Sequence, residues 1–161
     1  MAVWTPIDRT ASRHQNNLSR SKYDNLQEPE WFLAKMKDFF GQISLINFPF
    51  NPDQEGLFRD ASVGDTVFCV PPFSQAAKYL EASLDTVRAF PERRVALLIS
   101  ARTEAYSWHD HVFGKATVLF LKGPFRFVGL DKGISAALVI YGDCPDSLIK
   151  RLTEMGTVIS P

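Results

Sequence analysis

The chain has 161 residues, 45% of them hydrophobic, and its 18 Lys and Arg balance its 18 Asp and Glu. That length buries a core without disulfides or metal, and the composition excludes a disordered or membrane-spanning class. Zero net charge excludes attraction of the whole molecule to phosphate backbones or anionic lipid, so a nucleic-acid contact must come from local clustering.

Residues 1–25 are polar and Ser-rich without a sustained period, and read as a flexible arm, ordered by a partner, ahead of one folded domain over residues 26–161. Arg9, Arg13, Arg20 and Lys22 suit an organelle presequence, whereas Asp8 argues against one. The start has no signal-peptide core, and no run approaches 18 apolar residues, so the expected location is the cytoplasm or host-cell interior, with no membrane contact. Two cysteines, Cys69 inside an apolar run and Cys144 before Pro145, lack metal or redox spacing and fit a reducing compartment.

From Glu28 the period becomes helical: Pro29 suits a first turn, and Trp31, Phe32, Met36, Phe39 and Phe40 recur until Gly41. Gln42–Phe48 reads as a short strand broken by Pro49, Pro52 and Gly56, and Thr66–Val70 as a second strand. Ser74–Phe90 fits an amphipathic helix capped by Ser74, with Ala77, Leu80, Leu84, Val87 and Ala89 as its apolar stripe and Pro91 as its end. Arg93–Ser100 is a continuous apolar strand of the kind buried on both faces, which favours a parallel sheet. A helix opening at Thr103 follows, then two strands, Lys115–Gly123 and Ser135–Asp143, and a last helix from Pro145 or Asp146 to Gly156. This order predicts a three-layer α/β fold: a Rossmann-like sheet, mostly parallel, ending in an antiparallel strand pair, with the ligand crevice beyond the carboxyl ends of the strands.

At one such end, Val70-Pro71-Pro72-Phe73 stops the ladder, because neither proline has an N–H and each ring fixes φ near −65°. Carbonyls in that turn are expected to point outward without an intrachain donor. A strand followed by a polar residue, Pro, Pro and an aromatic is the pattern of methyltransferases acting on exocyclic amino nitrogens. There the polar side chain and a proline carbonyl accept the amino protons, and the aromatic stacks on a flipped-out base. Together with Glu28–Phe40, Ala101-Arg102-Thr103, Trp108 and Lys122-Gly123, this turn resembles the phage-type DNA N6-adenine methyltransferase family over roughly Glu28–Asp143.

The resemblance implies a methyltransferase sheet, S-adenosylmethionine as cofactor, and DNA, with RNA as the alternative, as partner. It assigns Val70, Pro71, Pro72 and Phe73 to the catalytic turn, and Asn47, Phe48, Ser74 and Arg102 to the cofactor. Trp108, Lys122, Arg126 and Lys132 fall to nucleic acid. Where the family carries Asn or Asp, this chain has Val70, which has no acceptor for the amino proton; losing one preorganised polar group costs about 100- to 1,000-fold in rate. No G-x-G loop follows an early strand.

Other constellations carry less. His109 and His111 do not share a helix face and have no third ligand at a supportive spacing, so no metal is expected. Arg102 suits either a phosphate or cofactor carboxylate, or an ion pair with Glu104. Arg88–Arg94 reads as a solvated loop, and G-x-S-x-G is absent. Two readings stay open: a DNA adenine N6-methyltransferase-like protein with impaired catalysis, and a catalytically inactive methyltransferase-fold protein serving as a binding or structural subunit. In the second, the arm engages a protein partner.

Overall fold

Pro29 and Gly41 bound the first helix, α1 (Glu30–Phe40), in this computed structural model, which describes residues 26–46 and 66–161. Pro29 precedes the helix in an extended conformation and Gly41 closes it at φ 76°, its N–H donating to the Lys37 carbonyl at 2.9 Å. Phe32, Met36 and Phe39 form the buried face, while Trp31, which the helical period puts in the same stripe, is left outside it. There follow β1 (Ile43–Ile46), β2 (Thr66–Cys69), a 3-10 turn (Phe73–Gln75), α2 (Ala76–Ala89), β3 (Arg94–Ser100) and α3 (Tyr106–His111). The chain closes with β4 (Thr117–Leu121), β5 (Ala136–Tyr141), α4 (Asp146–Leu152) and β6 (Gly156–Ile159).

The six strands lie in the order β1-β2-β3-β5-β4-β6. This corrects the expected mostly parallel, Rossmann-like sheet. Only β1 with β2 and β2 with β3 pair parallel, whereas β3 with β5, β5 with β4 and β4 with β6 pair antiparallel. The expectation rested on the unbroken apolar run of β3, and burial on both faces does not report strand direction. β5, antiparallel to both neighbours, is buried at every position too, because helices cover both faces of the sheet. β6 follows a helix that stops at Leu152, four residues before the predicted end.

Alternation along the strands divides the core in two. Phe68, Ala96, Leu98, Leu119, Leu138 and Ile140 face α1 and α4, meeting Phe32, Met36, Leu148 and Leu152. Val67, Cys69, Val95, Leu97, Ile99, Val139 and Tyr141 face α2 and α3, meeting Tyr79, Leu80, Leu84 and Trp108. The α2 face is turned from the predicted stripe: Tyr79 and Ser83 are buried and Ala77 is exposed. The Ser83 hydroxyl is satisfied locally, donating to the Tyr79 carbonyl at 2.6 Å.

The Arg88–Arg94 stretch is not a purely solvated loop. Arg93 is buried with its guanidinium 4.4 Å from the Phe90 ring centroid. Arg94 donates to the Asp143 carbonyl at 2.8 Å and to Thr66 Oγ1 at 3.3 Å, tying β2, β3 and the end of β5 together. Among the described residues, no helix is long and apolar enough to cross a membrane.

Candidate functional site

Strand direction decides what gathers at the end of the sheet. β3 and β4 are both antiparallel to β5, so they run the same way, and their carboxyl ends lie on the edge where β2 also ends. The register sets Cys69 beside Leu97, Ser100 beside Ala136 and Phe120 beside Ala137. The Val70–Phe73 turn, Ala101–Thr103 and the connection from Lys122 to Ser135 therefore share one edge.

The ladder of β2 stops at Cys69, as two prolines dictate. Pro72 is extended (φ −57°, ψ 133°), and its carbonyl accepts the Gln75 N–H at 2.9 Å, closing the 3-10 turn that feeds α2. One of the carbonyls expected to point outward is thus met within the chain. The Pro71 carbonyl receives no backbone hydrogen bond among the described residues. Ser74 lies inside the turn, exposed, and Gln75 rather than Ser74 occupies the N-cap position of α2. Pro71 and Pro72 are buried, and Val70 is only 7% exposed, its side chain packed in the apolar cluster on the α1 and α4 side of the sheet. The position at which the resembled family carries a side-chain acceptor holds methyl groups turned into the core.

Phe73 is half-buried and meets Phe127 edge to face, with centroids 5.5 Å apart and planes at 81°. Phe127 in turn meets Phe125 edge to face (4.8 Å, 72°), and Phe125 touches both Phe32 (5.1 Å, 77°) and Trp31 (5.8 Å, 52°). Phe125 and Phe127 face inward by strand alternation, leaving Arg126 and Val128 outward. The segment is a small hairpin: Phe125 and Ile134 exchange two backbone hydrogen bonds, at 2.8 and 2.9 Å, and the Leu130 N–H donates to the Phe127 carbonyl at 3.2 Å across its tip. Gln27, just before α1, bridges to Val128 on the hairpin.

Lys122, Arg126 and Lys132 are exposed and carried by this hairpin and its stem, so the structure groups them; Asp131 adds one acid. Arg126 Nε donates to the Leu130 carbonyl at 3.4 Å. Arg102 also reaches this edge, but its Nε lies 3.2 Å from Glu104 Oε1, with both side chains largely exposed. The Glu104 carboxyl is held below its ordinary range by a backbone hydrogen bond first and by Arg102 second among the lowering causes.

Trp108 must be corrected. It is 2% exposed on the α2 and α3 side, packed against Phe113 (5.6 Å) and nearly parallel to Phe120 (6.0 Å, 21°), and is core rather than a surface for nucleic acid. His109 packs on Phe113, and the His111 carbonyl accepts the Tyr141 hydroxyl at 2.6 Å. No group of three or more His, Cys, Asp or Glu suited to a metal occurs among the described residues. Burial pushes the Cys69 thiol up to about 12, so it is no nucleophile at neutral pH.

Of the four residues that the resemblance assigns to S-adenosylmethionine, Asn47 and Phe48 lie outside the described residues. The other two, Ser74 and Arg102, are both exposed, and Arg102 Nε is engaged by Glu104. Comparison of the chain with known protein families, curated proteins and solved structures finds no match. The rings that matter most at this edge, Trp31, Phe125 and Phe127, were missed as site residues. The alternation in Phe125-Arg126-Phe127 was the available signal.

Proposed function

We propose that this chain is a nucleic-acid-binding protein, similar in its motifs to the phage-type adenine methyltransferases, that seats a base against the Pro-Pro-Phe edge without transferring a methyl group. The observation that carries this reading is the Phe73–Phe127 ring contact, which joins the turn after β2 to the hairpin bearing Lys122, Arg126 and Lys132. A half-exposed ring stacks on a base, nearby cations meet its phosphates, and neither needs net positive charge on the whole molecule. The burial of Val70 favours binding without catalysis, because an amino nitrogen at this turn meets no side-chain acceptor there. Arg102 is a secondary phosphate ligand, offering its Nη groups while Nε stays on Glu104.

The reading puts the protein inside the cell with DNA or RNA as partner, and its two free cysteines support a reducing compartment. A protein partner engaged through residues 1–25 lies outside the described residues. The test is fluorescence anisotropy with a labelled oligodeoxyadenylate, alongside incorporation of labelled methyl groups from S-adenosylmethionine into DNA. Wild type is expected to bind, Phe73→Ala to bind about 5- to 150-fold more weakly, as loss of one stacked base predicts, and no label to enter DNA. Absence of binding by wild type overturns the base-binding reading, and methyl incorporation overturns its non-catalytic part.

A further inference from the structure

We infer that Trp31 is a second stacking platform and that the ligand is a single strand rather than a duplex, an inference that rests on the base-binding reading of the Phe73 edge. Trp31 is 56% exposed at the start of α1, off the face that Phe32, Met36 and Phe39 bury. Its indole is nevertheless held, edge to face on Phe32 (5.7 Å, 87°) and tilted over Phe125 (5.8 Å, 52°), and both supporting rings are buried. A large ring fixed by neighbours while facing water loses little rotamer freedom when a flat ligand covers it.

Its position relative to Phe73 gives the ligand a dimension. Phe73, Phe127, Phe125 and Trp31 form one run of rings with centroid steps of 5.5, 4.8 and 5.8 Å; the two middle members are buried, Phe73 is half-buried and Trp31 is exposed. Phe73 and Trp31 therefore lie within the span of about five stacked nucleotides, at 3.4 Å each along one strand. Val128, 54% exposed, is bridged through its backbone to Gln27, four residues before Trp31.

Charge selects the kind of nucleic acid. The hairpin and its stem offer Lys122, Arg126 and Lys132 against Asp131, and Glu28 and Glu30 flank Trp31 on its own segment. Such a surface neutralises few phosphates, too few to grip the paired backbones of a duplex, whereas stacking supplies most of the affinity for an unpaired strand. With at most four phosphate contacts, Arg102 included, log K should fall with log salt at a slope no steeper than about −3.

The experiment is anisotropy with a labelled oligodeoxyadenylate of about a dozen nucleotides, using wild type, Trp31→Ala, Trp31→Phe and Phe73→Ala, with unlabelled duplex of the same sequence as competitor. The expected result is that Trp31→Ala weakens binding about 5- to 150-fold, Trp31→Phe recovers part of the loss, and duplex competes poorly. Because Trp31 is exposed, circular dichroism should show each Trp31 variant folded as wild type. If Trp31→Ala binds as wild type while Phe73→Ala fails, the Trp31 platform falls and the base-binding reading stands. Loss with Trp31→Ala but not Phe73→Ala removes the Pro-Pro-Phe reading and, with it, Trp31 as a second platform beside Phe73. Equal competition by duplex overturns the single-strand assignment, and no binding by wild type overturns both.

Discussion

Replacing Val70 by asparagine restores the residue type that the methyltransferase family carries before its two prolines, and the structure predicts that the protein is damaged rather than activated. Val70 is 7% exposed in the cluster that contains Phe68, Phe127 and Leu138. The substitution forfeits the burial of an apolar side chain, about 1.5–3 kcal/mol. It also buries an amide without a partner, about 1–3 kcal/mol on the scale of protein mutational data. The loss should therefore be about 2.5–6 kcal/mol. At 2–4 °C per kcal/mol for a chain of this size, thermal unfolding followed by circular dichroism should drop by roughly 10 °C. A parallel assay for methyl transfer to adenine-containing DNA should stay blank. A Val70→Asn protein that melts with wild type, or that gains methyl transfer, would refute the reasoning, because the side chain would then face an open crevice.

Gly133 lies opposite the hairpin stem, where an added Cβ would sit 2.5 Å from Pro124 Cβ. Gly133→Ala should therefore cost about 1–3 kcal/mol in urea denaturation and weaken oligonucleotide binding by shifting the hairpin. The Cys69 thiol is raised to about 12, and burial likewise raises the Tyr79 and Tyr141 hydroxyls, so above the unfolded pKa values the native state holds more protons than the unfolded chain. Stability should be flat up to pH 9 and fall as pH rises from there toward 12, read as a falling urea midpoint; a midpoint that rises in that window contradicts the burial of these groups. Glu104→Ala removes an exposed ion pair and should change stability by less than about 0.5 kcal/mol by the same measurement.

The elements were legible because their signals are local. Prolines at 29, 71, 72, 91 and 145 and glycine at 41 fix where helices and strands begin or stop, and periodicity finds α1, α2, β3 and β5 to within a few residues. Sheet order was not legible, because β5 inserts between β3 and β4 and β6 returns to the far side of β4, and long-range pairing leaves no mark on an apolar run. Nor does composition tell a ring in the core from a ring at the edge. Trp108 and Trp31 each sit in a helix among apolar neighbours, yet one is sealed under α2 and the other faces water, because only the second lies off its helix's buried face. Of the candidate site, the Pro-Pro-Phe turn and the three hairpin cations were readable from sequence, whereas the ring run joining them required the fold.

Mapping backbone amide shifts by NMR while titrating an oligodeoxyadenylate tests the central claim most directly, since it locates the ligand without presuming which residue holds it. The account predicts shifts concentrated at Phe73 and Ser74, at Ala101 to Thr103, across Phe125 to Ile134 and at Trp31. Shifts confined to other surfaces, such as β6 or the end of the sheet at Arg94 and Asp143, or no shifts at saturating ligand, would contradict it.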